Sequence, residues 1–149
     1  MQHLTRAMSF DHTITQKYID QLSYKIIGAA IEVHKNVGPG LLESVYHRFL
    51  KQELFLRGID HQTELLVPVL YKGINLETQL RCDFFVNRLI VVEIKSVEFL
   101  APVFEAQILT YMKLLKAPKG ILVNFNSVNL FKEGQQTYVN ELYRELPFG

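Results

Sequence analysis

A single cysteine, Cys82, stands in 149 residues, which excludes an internal disulfide and any cysteine-rich zinc site. Charge of one sign is equally scarce. Sixteen Lys and Arg against 15 Asp and Glu leave a formal net charge of +1, so no strong long-range attraction to a polyanion is expected, and nucleic-acid binding would need a local basic patch. No apolar run approaches the length of a transmembrane span, and the polar stretch from Met1 to Thr15 lacks the basic-then-apolar layout of a signal peptide. A cytoplasmic location with no membrane partner is the expectation. There is also no internal repeat, low-complexity tract or interdomain linker. Apolar residues at 48% and charged ones at 21% suit a soluble globular chain long enough to bury a substantial core. Residues 1–14 are expected to be poorly ordered and 15–149 to form a single domain.

The most informative stretch is Arg81 to Val97, RCDFFVNRLIVVEIKSV, which reads as a β-hairpin. Its arms are rich in Phe, Val, Leu and Ile, and Asn87-Arg88 is the polar break between them. Side chains alternate along a strand, so Glu93 and Lys95 share one face, and Cys82 lies on the face opposite Asp83. If Asn87-Arg88-Leu89 is a three-residue loop, Asp83 falls opposite Glu93 with Cβ atoms about 5 Å apart; a two-residue loop would put them on opposite faces. As ordinary strand charges they would be solvated, with Lys95 as a cross-strand partner. The apolar run around Glu93 instead reads as a strand buried on both faces, where a carboxylate is costly unless it is paired or holds a metal. A divalent cation shared by Asp83 and Glu93, with Lys95 beside it, would relieve the repulsion. Cys82 is expected to be a small core residue rather than a reactive thiol.

The rest of the chain alternates helical and extended patterns. Ile19, Leu22, Ile26, Ala30 and Val33 predict a helix over 14–36, ended by Gly38-Pro39-Gly40. A second helix is predicted from Leu41 to Arg57; Glu43 in its first turn would complement the helix dipole, and Tyr46 and His47 follow on the same side. His47 reads most simply as a surface residue and His34 as a helix-end residue. Gln62 to Tyr71 and Ile74 to Val86, joined at Lys72-Gly73, would complete a three-stranded antiparallel meander with Leu89 to Val97, and Pro68 marks the first strand as an edge or a bulge. Pro102 opens a third helix to about Lys116, on which Gln107 and Tyr111 share a face. Ile121 to Phe125 reads as a buried strand, with edge strands at Val128 to Phe131 and Gln136 to Val139; the tail from Asn140 carries no clear pattern. Lys113, Lys116 and Lys119 could form a phosphate-contacting patch, although a solvated helix end is the ordinary account of such a group. The order predicts an α/β or α+β domain with a central mixed sheet flanked by helices.

The segment GPGLLESVY holds Gly40, Glu43 and Tyr46 as G-x-x-E-x-x-Y and resembles the signature of the GxxExxY protein family, a group within the PD-(D/E)XK nuclease superfamily. The resemblance continues through Tyr71-Lys72-Gly73, the Asp83 strand, Glu93-Ile94-Lys95, Glu105-Ala106-Gln107 with Tyr111, and Asn124-Phe125-Asn126. It implies an αβββαβ core in which Asp83 and Glu93 hold Mg²⁺ or Mn²⁺ and Lys95 orients the attacking water and stabilises phosphate charge. It also implies that Glu43 reaches the metal directly, through water or at a second ion, and that Gln107, Tyr111 and Tyr46 are accessory positions. The implied activity is metal-dependent hydrolysis of phosphodiester bonds in DNA, with RNA as the alternative substrate. The competing reading is a non-catalytic nucleic-acid or protein-binding module on the same scaffold; in either case a homodimer would enlarge the substrate surface.

Overall fold

Helix α1, Gln16–Val37, starts where Thr15 takes extended backbone angles and its hydroxyl accepts the Tyr18 N–H at 3.0 Å, satisfying one free amide of the first turn. Its buried stripe is the one read from the sequence, Ile19, Leu22, Ile26, Ala30 and Val33. Gly38 and Gly40 then turn the chain at φ 69° and 97°, left-handed angles that favour glycine. Helix α2, Glu43–Leu56, follows. The computed structural model describes residues 14–149. Of the segment 1–14 expected to be poorly ordered, all but Ile14 lies outside the described residues, and Ile14 packs against the larger core.

After α2 come β1 (His61–Leu66), β2 (Leu70–Tyr71), β3 (Ile74–Asn75), β4 (Arg81–Val86), β5 (Ile90–Lys95), α3 (Pro102–Leu115), β6 (Lys119–Asn124), α4 (Leu130–Glu133), β7 (Gln135–Val139) and α5 (Glu141–Arg144). The main sheet has the order β1-β4-β5-β6-β7, with β5 and β6 parallel and the other neighbours antiparallel. The expected αβββαβ core is thus α2, β1, β4, β5, α3 and β6, a mixed sheet flanked by helices. Among the described residues no helix is long and apolar enough to cross a membrane.

The meander is present as β1, β4 and β5, but its first two strands are shorter than the sequence suggested. Pairing of β1 with β4 ends just past Leu66, where the Val67 N–H donates to the Leu80 carbonyl at 2.8 Å. Pro68 has no N–H to continue the ladder. The chain between these points forms its own two-stranded ribbon, β2 and β3, about Lys72-Gly73. As Pro68 indicated, β1 is an edge strand.

Two further expectations are corrected at the C-terminal end. Val128 to Phe131 is not a strand: the Asn129 side chain accepts the Lys132 N–H at 3.0 Å and caps α4, and the edge strand is β7. Strand β6 begins at Lys119, which is buried and paired with Asp20 at 3.2 Å. Lys119 is therefore committed to α1, and the three-lysine patch is not assembled.

The sheet buries both faces. Ile90, Val92 and Ile94 pack with Ile121, Val123 and the stripe of α1 in the larger core, while Val91 and Leu122 meet Ile108 and Met112 of α3 in the smaller one. Helix α3 comes close because position 120 is glycine: a Cβ there would lie 2.7 Å from Met112 Sδ. Between these cores, the end of β5 presents a carboxylate and a lysine that neither core explains.

Candidate active site

The β4–β5 turn decides the geometry. Val86 pairs with Ile90, Phe85 with Val91 and Phe84 with Val92, so Asn87, Arg88 and Leu89 form the three-residue connection, with Asn87 and Arg88 at φ 50° and 54°. Continued by one residue, this register sets Asp83 opposite Glu93. The two carboxylates meet there by exchanging backbone contacts: the Asp83 N–H donates to Glu93 Oε2 at 2.7 Å, and the Ile94 N–H donates to Asp83 Oδ2 at 2.9 Å.

The other side of β4 is interrupted at the same place. Thr63 pairs with Phe84 and Leu65 with Cys82, but Glu64, between them, has φ 49° and pairs with nothing across the ladder. Cys82 consequently packs in the smaller core with Phe85, three residues away, whereas a regular strand would turn those two to opposite faces. The strand therefore twists at Asp83, which leaves its carboxylate between two incomplete ladders. Cys82 is the core residue expected, its thiol pushed up to about 12 by burial and by the charge of Glu93.

Electrostatics follow from burial. Glu93 is only 4% exposed, and its carboxyl is pushed up to about 8, first by desolvation and then by the Asp83 charge, against the Asp83 N–H and the Lys95 ammonium. Asp83 is also raised by burial, opposed by the Ile94 N–H, His47 and Lys95. Glu43, the first residue of α2, is raised by desolvation, with Lys95 pulling it down and Asp83 pushing it up. Glu43, Asp83, Glu93 and Lys95 thus form one electrostatic group. The Lys95 ammonium lies over the Phe104 ring, 4.7 Å from its centroid, where α3 meets the end of β5.

The donor set fits a hard divalent cation. Asp83 and Glu93 each engage one oxygen with a backbone N–H, which leaves the second oxygen of each for a metal. Among the described residues no three His, Cys, Asp or Glu side chains form a complete metal-binding group. Two carboxylates nevertheless suffice for Mg²⁺, which keeps waters and takes phosphate oxygens as its remaining ligands.

The accessory residues divide into two kinds. Gln107 donates to the Tyr111 hydroxyl at 3.2 Å on α3, and the Tyr111 phenol is raised by burial and then by the charge of Glu93. Tyr46 is fully buried: its ring stacks on Phe125 at 4.5 Å, and its hydroxyl donates to Gly38 C=O at 2.6 Å while accepting the Leu41 N–H at 3.1 Å. Tyr46 therefore braces the turn that delivers Glu43. Tyr46→Phe would leave those two backbone groups unpaired, and we expect it to cost about 1–3 kcal/mol, read as a lower urea midpoint at unchanged slope.

His47 is not the simple surface residue its place in the sequence suggests. It stacks on Phe84 with ring centroids 4.5 Å apart, and its Nε2 lies 3.3 Å from the Asp83 carbonyl. Its spacing of four from Glu43 was the available signal, but only the packing of α2 on β4 reveals the contact. His34, expected near the end of its helix, has Nε2 2.8 Å from the Ser127 carbonyl. Asn124 was also overlooked as an anchor: its side chain brackets Val97, accepting the Val97 N–H at 3.1 Å and donating to the Val97 carbonyl at 3.0 Å. It fixes the chain just beyond Lys95.

An acid opposed to E-x-K on adjacent strands of a mixed sheet defines the nuclease-like class of site. The sequence model of the PD-(D/E)XK nuclease superfamily matches residues 20–137, and the chain belongs to that superfamily. No curated protein and no solved structure matches it.

Proposed function

We propose that the protein is a metal-dependent nuclease that hydrolyses phosphodiester bonds in DNA, with RNA as the alternative substrate. The observation that carries this reading is the apposition of Asp83 and Glu93, with Lys95 two residues further along β5. Desolvated like charges are unfavourable by themselves, and a cation converts that cost into a binding site. Bound Mg²⁺ or Mn²⁺ would lower the pKa of a water and neutralise charge on the phosphoryl oxygens.

The chain's own residues supply the rest. Asp83 and Glu93 would hold the ion, and Glu43 of α2 would reach it directly, through water or at a second ion. Lys95, two residues along β5 from Glu93 and set over the Phe104 ring, would orient the attacking water and offset charge developing on the phosphate. Gln107 and Tyr111 brace the α3 side. Gly40, Glu43 and Tyr46 support placing the chain in the GxxExxY group within the superfamily. A cytoplasmic location, a single domain over 15–149 and homodimer formation belong to the same proposal.

Asp83→Ala, Glu93→Ala and Lys95→Ala should each abolish cleavage of single- or double-stranded oligonucleotides while keeping the wild-type circular dichroism spectrum. Full activity in all three would dismiss the assignment.

A second reading, a protein-binding module that keeps the nuclease scaffold, is favoured by one observation. The β2–β3 ribbon exposes Leu70, Tyr71 and Ile74 by 64%, 61% and 62%, and neighbouring exposed apolar side chains of this kind mark protein-docking surfaces. Salt-insensitive affinity for a protein, with no nucleic-acid binding at low salt, would favour that module over the nuclease.

A further inference from the structure

Glu43 sits at the start of a helix whose entry is weakly held. Leu42, which precedes it, makes no side-chain cap, and the apolar side chains of the entry loop do not anchor it, since Leu41 and Leu42 are 37% and 72% exposed. Side-chain hydrogen bonds to its backbone hold the loop instead, among them the one from the Tyr46 hydroxyl to the Gly38 carbonyl at 2.6 Å. The Leu41 N–H goes to the Tyr46 hydroxyl at 3.1 Å, and the Leu41 carbonyl accepts from Ser96 Oγ at 2.7 Å. These tethers are not equivalent. Tyr46 lies three residues after Glu43 on α2 itself, so its hydroxyl ties the loop to its own helix. Ser96 directly follows Lys95 at the end of β5, so its hydroxyl ties the loop to the strand that carries Glu93 and Lys95.

The strand end from which Ser96 reaches is itself fixed. The Phe125 N–H donates to the Lys95 carbonyl at 2.9 Å, and Asn124 brackets Val97. Ser96 is therefore a short, stiff link between the helix that bears Glu43 and the strand that bears the other charged groups. Without it the entry to α2 keeps the stacking of Tyr46 on Phe125 but loses its side-chain hydrogen bond to the end of β5, which loosens the first turn against that strand. Displacement of a reacting group by about 1 Å is enough to cost up to about a hundredfold in rate.

We propose that Ser96 is a positioning residue: through the Leu41 carbonyl it sets the placement of Glu43 against Glu93 and Lys95. This rests on the nuclease reading of the same site. A purely structural role would lower stability alike in every background, whereas a positioning role acts only while Glu43 is there to be positioned.

A double-mutant cycle separates the two. Ser96→Ala should lower kcat about ten- to hundredfold with KM little changed, and Ser96→Thr, which keeps the hydroxyl, should restore most of it. In a Glu43→Gln background, Ser96→Ala should change kcat by less than about twofold, while its effect on the thermal midpoint stays the same. Mn²⁺ affinity from calorimetry provides a second readout of the same cycle: the loss caused by Ser96→Ala should disappear in the Glu43→Gln background. If wild type cleaves or binds Mn²⁺ but the two substitutions act additively on both readouts, the positioning role is wrong and the nuclease assignment stands. If wild type neither binds Mn²⁺ nor cleaves, the assignment fails and the positioning role falls with it.

Discussion

Glu93→Gln should abolish cleavage, by at least about a hundred- to a thousandfold, and at the same time make the metal-free protein more stable at pH 8, by on the order of 1 kcal/mol. The two effects have one origin. Glu93 is 4% exposed and lies against Asp83, so its negative charge is costly in the absence of a counter-ion and, on the proposed nuclease reading, is the charge that would hold a cation. Glutamine keeps an oxygen that can accept the Asp83 N–H, so the shape of the strand pair survives while the charge does not. A merely structural glutamate would show no gain in stability alongside lost activity. Single-turnover cleavage and thermal unfolding on the same preparations check both halves.

The second large effect is the pH dependence of stability. The Glu93 carboxyl is raised from its ordinary 4.5 to about 8, so the folded protein binds its proton more tightly than the unfolded chain does. Stability from this group is fully present below about pH 4.5 and is lost progressively as pH rises toward 8. The shift of Asp83 has the same sign and steepens the decline. Metal-free wild type should therefore melt at falling temperatures between pH 5 and pH 8, and Glu93→Gln should flatten much of that slope. Saturating Mg²⁺ or Mn²⁺ should have the opposite trend: because the cation displaces the proton, the rise in melting temperature it produces should grow with pH over the same interval.

The local pattern made some of this geometry legible and hid the rest. Apolar arms around one polar break fixed the β4–β5 hairpin, and a three-residue connection was enough to bring Asp83 opposite Glu93. The first helix was readable because its buried stripe and its glycine stop are both written in the local sequence. The twist of β4 at Asp83 was not, because it depends on Glu64 in another strand taking a left-handed angle. His47 and Ser96 were invisible as partners for a similar reason. Their contacts, to the Asp83 and Leu41 carbonyls, join residues 36 and 55 positions apart. Only the packing of α2 on the sheet creates them. At Val128 to Phe131, local apolar character suggested a strand, and a single Asn129 cap turned the segment into α4.

The most direct test is calorimetric titration of Mg²⁺ and Mn²⁺ into metal-free wild type and the Asp83→Ala, Glu93→Ala double variant, followed by cleavage assays on single- and double-stranded DNA with the same samples. The nuclease account predicts metal binding by wild type that vanishes in the variant, with cleavage vanishing alongside it. Equal, negligible metal binding by both proteins would contradict it.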